Sequence, residues 1–177
     1  MEKVEFIVCV NQEMYRDQCV AFINSLNVPT EIEVSITLIH DAGSMTSAYN
    51  RAMKASDAKY KVYLHQDVFL INKNFISEFI AIFQAHLEVG LLGVIGSKSI
   101  IKNGCYWNAW NVGETYAGTP LNFIHMKCSD VSDMEYVRAV DGMLMITQYD
   151  VNWREDMFDA FDFYDISQAL INCVRFV

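Results

Sequence analysis

The octapeptide YLHQDVFL, Tyr63 to Leu70, sets three polar side chains (His65, Gln66 and Asp67) between two apolar runs. A carboxylate delivered at the tip of a buried strand can hold Mg2+ or Mn2+ and leave the other coordination positions to phosphate oxygens and water. Such an ion neutralises charge on a diphosphate leaving group. The plainer reading of Asp67 is a turn aspartate that caps the next element. Asp41, ahead of Ala42-Gly43-Ser44, can accept hydrogen bonds from a base or ribose, or can shape an Asx turn. Asn11-Gln12-Glu13 forms a third polar cluster behind an apolar run. Asp162 and Asp165 precede the last periodic segment. Either serves as a general base if Phe158, Phe161, Phe163 and Tyr164 raise its pKa, and either serves equally as an N-cap acid facing a helix dipole. Trp107 and Trp110, with Tyr106 and Tyr116, read as a stacking platform for sugar rings or as lids over the core.

The elements that must position these residues alternate. The run Val4–Val10 is a strand buried on both faces, and Ile32–Ile39 and YKVYL are two more. Between them, Cys19, Val20, Ile23 and Leu26 keep the helical period, as do Met45, Ala48, Tyr49, Ala52 and Met53. Asn50 and Arg51 lie on that second helix. Arg51 is one of few cations near the expected phosphate position, and a solvated helix face competes as its explanation. Asn72 or Asn74 caps a third helix bearing Phe75, Phe79 and Phe83, and Gly90–Gly96 reads as a fourth short strand. Three βα units with apolar strands predict an α/β fold of three layers, a mostly parallel sheet flanked by helices on both faces. Ligands of such sheets sit beyond the strands' carboxyl ends, where the three polar clusters fall. Lys98–Val137 reads as irregular, Tyr136–Thr147 as a strand with Asp141-Gly142 embedded in it, and Ile166–Val174 as a closing helix.

One domain spanning 1–177 is expected from the length. The chain is 53% hydrophobic and 13% aromatic, which argues against disorder. No run is long enough for a membrane-spanning helix, and the N-terminus reads as a first strand rather than a signal peptide. Thirteen Lys and Arg stand against 22 acids, a net charge of −9, with no basic block. Nucleic acid is thereby excluded as an expected partner, and a phosphorylated ligand would need a divalent cation. The five cysteines are scattered without a C-x-x-C pair, as reduced structural thiols of a cytoplasmic chain are. P-loop and G-x-S-x-G motifs are absent.

In this order, FIVCVNQE, HDAGSMTSAYNRAMKASDAKYKVYLHQDV, GLLGVIGS, VDGMLMIT and FDFYDISQAL resemble glycosyltransferase family 2 and its relatives, the nucleotide-diphospho-sugar transferases of GT-A type. The likeness is greatest to a bacterial subgroup linked to capsule and surface polysaccharide. The resemblance implies a Rossmann-like GT-A fold and a nucleotide-diphospho-sugar donor. It also implies a glycan or lipid-linked acceptor, and a cytoplasmic site of action at or near the inner face of the membrane. Asn11 and Asp41 match nucleotide contacts, Asn50 and Gln66 are expected to join them, and Asp141 matches a strand-edge position near donor and acceptor. HQDV matches the family's D-x-D region, with Asp67 and His65 as ligands of Mn2+ or Mg2+. Asp165 matches the catalytic base of inverting members. Two departures stand out: His65 occupies the first D-x-D position, and the chain stops at Val177, where relatives continue into an acceptor side. They keep a second expectation open, a non-catalytic nucleotide-sugar-binding or interaction module. A sugar-phosphate nucleotidyltransferase is a weaker third reading, since no glycine- and Lys/Arg-rich N-terminal loop is present.

Overall fold

The computed structural model describes residues 1–100, 109–119, 121–128 and 134–171 and the backbone of 175–176. Tyr106, Trp107, Cys105 and the expected helical positions Cys173 and Val174 lie outside the described residues. In chain order the elements are β1 (Glu2–Val10), α1 (Glu13–Asn24), β2 (Ile32–His40), α2 (Met45–Ala55), β3 (Tyr60–His65) and α3 (Phe75–Ala85), followed by β4 (Leu91–Gly93), β5 (Ile95–Ser97), β6 (Val112–Thr119) and β7 (Asn122–Lys127). The chain closes with β8 (Glu135–Tyr136), β9 (Ala139–Val140), β10 (Leu144–Thr147), α4 (Tyr164–Ile171) and β11 (Arg175–Phe176). The three expected βα units are present.

The main sheet has the order β2-β1-β3-β10-β4. β1 pairs in parallel with β2 and β3, while β10 runs antiparallel to both β3 and β4. Strand alternation divides the core in two. Val4, Phe6, Val8 and Val10 of β1 pack with Cys19 and Ile23 of α1 and with Ile76, Phe79, Ile80 and Phe83 of α3. On the opposite face Ile7 and Tyr63 meet Met45, Ala48, Tyr49 and Met53 of α2, Trp153, and Tyr164 and Ala169 of α4. Each large side chain fully removed from water in these layers contributes roughly 1.5–3 kcal/mol. α2 begins where Ser44, as N-cap, accepts a hydrogen bond from Ser47 N at 3.2 Å, a cap worth about 1 kcal/mol.

Three features differ from the expectation. The apolar run Gly90–Gly96 is not one strand: it breaks at Val94, sending β4 to the main sheet and β5 to a second sheet of order β7-β6-β5-β9. Gly113 of β6, with φ +89°, lies against that break, where a Cβ would stand 2.9 Å from the Val94 carbonyl carbon. The segment expected to be irregular holds the antiparallel hairpin β6–β7. It is mostly exposed, with Tyr116, Phe123 and Ile124 open to solvent, and lacks the apolar periodicity by which buried strands announce themselves. Tyr136–Thr147 is likewise interrupted: Asp141-Gly142-Met143 leaves the strand conformation and turns β9 into β10. The sheet is therefore mixed, four strands parallel and β10 opposed to them.

Candidate functional site

β1, β2 and β3 end side by side, since Val10 pairs with His40 and Cys9 with His65. The residues that follow them therefore open onto one edge. A cleft of about 440 Å3 lies there, with Asn11, Asp41, His65, Gln66 and Asp67 as its polar lining and Val10, Ala42, Met45 and Phe161 among its apolar lining. That volume falls in the range of small-ligand sites, roughly 300–1,000 Å3. Gln66 ties two of the strand ends together. Its Oε1 accepts from Asn11 N at 2.9 Å and Gln12 N at 3.0 Å, and its Nε2 donates to Asn11 Oδ1. Asp41 takes φ +53°, a left-handed conformation that aspartate tolerates better than most residues, and its side chain is exposed. Asp67 is exposed too, and no hydrogen bond or ion pair engages its carboxylate among the described residues.

Because β10 is antiparallel to β3, with Leu144 opposite Leu64, the Asp141–Met143 turn arrives at the same edge. His65 N donates to Met143 O at 3.1 Å, and Asp141 Oδ1 accepts from Met143 N at 2.8 Å. α4 abuts this turn. Asp165, in its first turn, accepts from Gly142 N at 3.0 Å and from Ile166 N at 2.8 Å. Burial pushes the Asp165 carboxyl up to about 6, with the negative neighbour Asp141 adding to the rise and the two N–H donors opposing it. Asp141 is also raised, again chiefly by burial. Burial lowers His65, against the pull of Asp67 and Asp141, and so favours the neutral imidazole. Its Nε2 lies 2.6 Å from the Tyr164 hydroxyl. Of the two acids weighed as a base, Asp162 is exposed and Asp165 is shielded.

Asn50 is placed elsewhere. It is buried beneath α2, its Nδ2 donating to Trp153 O and its Oδ1 accepting from Trp153 N, both at 2.9 Å. Arg51 is exposed on α2, within electrostatic reach of Cys9. Trp110 is partly buried, and Tyr116 stacks on His125 in the β6–β7 hairpin, with ring centroids 4.6 Å apart. The acidic N-terminal turn of α4 gave the signal for Asp165. Gly142 is expected at a strand edge and Tyr164 in the aromatic surround of the base, but the sequence does not foresee their contact with each other, because it joins segments 22 positions apart.

The donor atoms fit a divalent cation only in part. Asp67 offers a free carboxylate at the cleft, whereas His65 already has one ring nitrogen engaged by Tyr164. Among the described residues no cluster of three His, Cys, Asp or Glu side chains forms a metal cage. A hard cation held by Asp67 would complete its shell from diphosphate oxygens and water, a common arrangement for Mg2+.

A mixed sheet covered by helices on both faces, with a cleft at its carboxyl edge, is the α/β fold of the GT-A glycosyltransferases. The model of a glycosyltransferase-like family matches residues 5–173, and the chain belongs to that family. Among solved structures it is similar to S. aureus TarS 1-349 in complex with UDP, at 14% identity and a TM-score of 0.62, covering 100% of this chain and 58% of that one. A mannosyltransferase, PcManGT from Pyrobaculum calidifontis in complex with GDP-Man and Mn2+, follows at 12% identity and 0.59, covering 98% and 53%. A197 from STIV gives 11% identity and 0.54, covering 100% of this chain and 82% of that one. At such identities the likeness is one of fold. The chain spans little more than half the length of the TarS and mannosyltransferase chains. A comparison with curated proteins finds no match.

Proposed function

We propose that the chain is a glycosyltransferase domain that moves a sugar from a nucleotide-diphosphate donor to a hydroxyl of a glycan or lipid-linked acceptor, with inversion and with help from a divalent cation. The observation that carries this reading is the meeting, at one sheet edge, of a cleft lined by Asn11, Asp41 and Asp67 with the shielded carboxyl of Asp165. Asn11 and Asp41 contact the nucleoside. Asp67 would hold Mn2+ or Mg2+, whose charge would stabilise the departing nucleoside diphosphate. Asp165 takes the proton of the acceptor hydroxyl. The hydroxyl oxygen bonds to the anomeric carbon as the bond from that carbon to the diphosphate oxygen breaks. Asp141, one turn away, keeps the surround of Asp165 negative and favours a base that is ready to accept a proton near neutral pH.

Two supports come from outside the cleft. TarS was solved with UDP, and the mannosyltransferase with GDP-Man and Mn2+. No helix among the described residues is long and apolar enough to cross a membrane. On this reading a lipid-linked acceptor of surface polysaccharide assembly would be met at the inner face of a bacterial membrane.

Calorimetry with UDP- and GDP-sugars tests the reading. Binding in MnCl2 that falls at least tenfold in EDTA and in Asp67→Ala is expected. Asp165→Asn should bind as the wild type does but release nucleoside diphosphate at least a hundredfold more slowly. Binding without any turnover in the wild type would point instead to the non-catalytic module. If no nucleotide binds under any condition, the donor-site reading is wrong.

A further inference from the structure

The base and the cation-binding carboxylate come from segments nearly a hundred residues apart, yet they must face one reacting centre. One side-chain contact bridges them. His65 lies two positions before Asp67 on the strand end, and Tyr164 immediately precedes Asp165 in α4. Their Nε2 and hydroxyl atoms stand 2.6 Å apart. The Tyr164 ring is held in place independently, its centroid 5.9 Å from that of Tyr49 and 6.0 Å from that of Trp153. The residue opposite is a glycine, which leaves room for the tyrosine ring. A Cβ on Gly142 would lie 2.6 Å from Tyr164 Cζ and closer still to its hydroxyl. The N–H of that same glycine donates to Asp165 Oδ2. His65, Tyr164, Gly142 and Asp165 are thus one connected assembly.

We infer that His65 and Tyr164 are positioning residues: their hydrogen bond registers the N-terminus of α4, and with it Asp165, against the strand end that carries Asp67. This rests on the reading of Asp165 as the base and gives the histidine of HQD a different role from that of a metal ligand. If the hydroxyl donates to Nε2, the imidazole proton sits on Nδ1 and no ring lone pair remains for a cation. If Nε2 donates, that nitrogen is unavailable too and only Nδ1 keeps a lone pair. Either way Nε2 is committed to α4. Misplacing a catalytic group by about 1 Å costs on the order of a hundredfold in rate, whereas losing a metal ligand weakens donor binding first.

The test uses Tyr164→Phe, which keeps the packed ring, together with His65→Ala and His65→Gln. Affinity for UDP- and GDP-sugars in MnCl2 is read by calorimetry, and donor hydrolysis, with water standing in for the acceptor, by release of nucleoside diphosphate. Tyr164→Phe and His65→Ala should each lower kcat at least tenfold while donor affinity stays within about twofold. His65→Gln, whose amide can still meet the hydroxyl, should recover part of the rate. The double variant should lose no more than the worse single one. A tenfold loss of Mn2+-dependent affinity in His65→Ala, absent in Tyr164→Phe, would make His65 a ligand and overturn the inference, as would an unchanged kcat. Should the wild type bind no donor, the functional reading fails and a separate measurement still decides this one. The Asp165 carboxyl, followed by carbon NMR, should titrate lower in Tyr164→Phe, because a loosened helix end admits water. An unmoved midpoint overturns the positioning role.

Discussion

Asp165 is the residue at which environment matters most. Its carboxyl is raised to about 6 from an ordinary value of 3.8 because burial penalises the charged form more than the two N–H donors relieve it. The native state thus holds this proton more tightly than the unfolded chain between about pH 4 and 6. Stability from this group is present below the unfolded value and declines as pH rises through the folded one. About two pKa units correspond to roughly 2–3 kcal/mol. Asp165→Asn cannot ionise, so its stability relative to wild type should improve by about that amount between pH 4 and pH 8, as read from urea unfolding at both values. A constant difference across that range would contradict the raised carboxyl. The sequence made this residue visible through an acid behind an aromatic run at a helix start. Residue pattern alone weighs Asp165 and Asp162 evenly, and only the family resemblance points to Asp165, because shielding depends on the β9–β10 turn folding against α4. For the same reason Gly142 looked like part of a strand, although its task is to leave room for a hydroxyl from a later segment.

Elements were legible where apolar residues repeat. All three βα units, and α2 with its offsets of zero, three, four, seven and eight, follow from periodicity because each buries one continuous face. Legibility failed where position depends on a distant partner. β4 and β5 share one apolar run, but Val94 divides them between two sheets, and the exposed β6–β7 hairpin has no buried stripe to betray it. Asn50 shows the same limit within a well-read helix. The sequence suggested a contact with nucleotide, and the structure holds its amide against both backbone groups of Trp153, pinning the loop before α4 to α2. Replacing Asn50 with Ala would leave a buried N–H and a buried carbonyl unpaired, each costing about 1–3 kcal/mol. We expect Asn50→Ala to lose about 2–4 kcal/mol in urea unfolding, while the folded variant keeps its affinity for UDP- and GDP-sugars within about twofold. A tenfold loss of affinity with unchanged stability would instead return Asn50 to the binding site.

At the scale of the whole molecule, topology and charge act together. β10 reaches the sheet only after residue 143 and slots between β3 and β4, so the edge bearing Asp67 and the turn bearing Asp141 are completed by the same late strand. That edge is acidic in a chain of net charge −9, and among the described residues neither lysine nor arginine lines the cleft. A nucleoside diphosphate brought there alone meets Asp41 and Asp67 with like charge, and repulsion between close charges at an effective dielectric constant near 20 is on the order of several kcal/mol. On the proposed reading, a divalent cation standing between Asp67 and the phosphates would reverse the sign of that term. Binding to the native state alone stabilises by about 2.7 kcal/mol at a ligand concentration of one hundred times Kd. For a chain of this size that corresponds to a rise in Tm of roughly 5–10 °C. UDP- or GDP-sugar with Mn2+ should produce such a rise, and the same donor in EDTA should produce less than about 2 °C. In Asp67→Ala the two conditions should converge on the smaller value. An equal rise in EDTA would mean that Arg51 or another cation already balances the diphosphate, and that the acidic edge needs no metal to accept it.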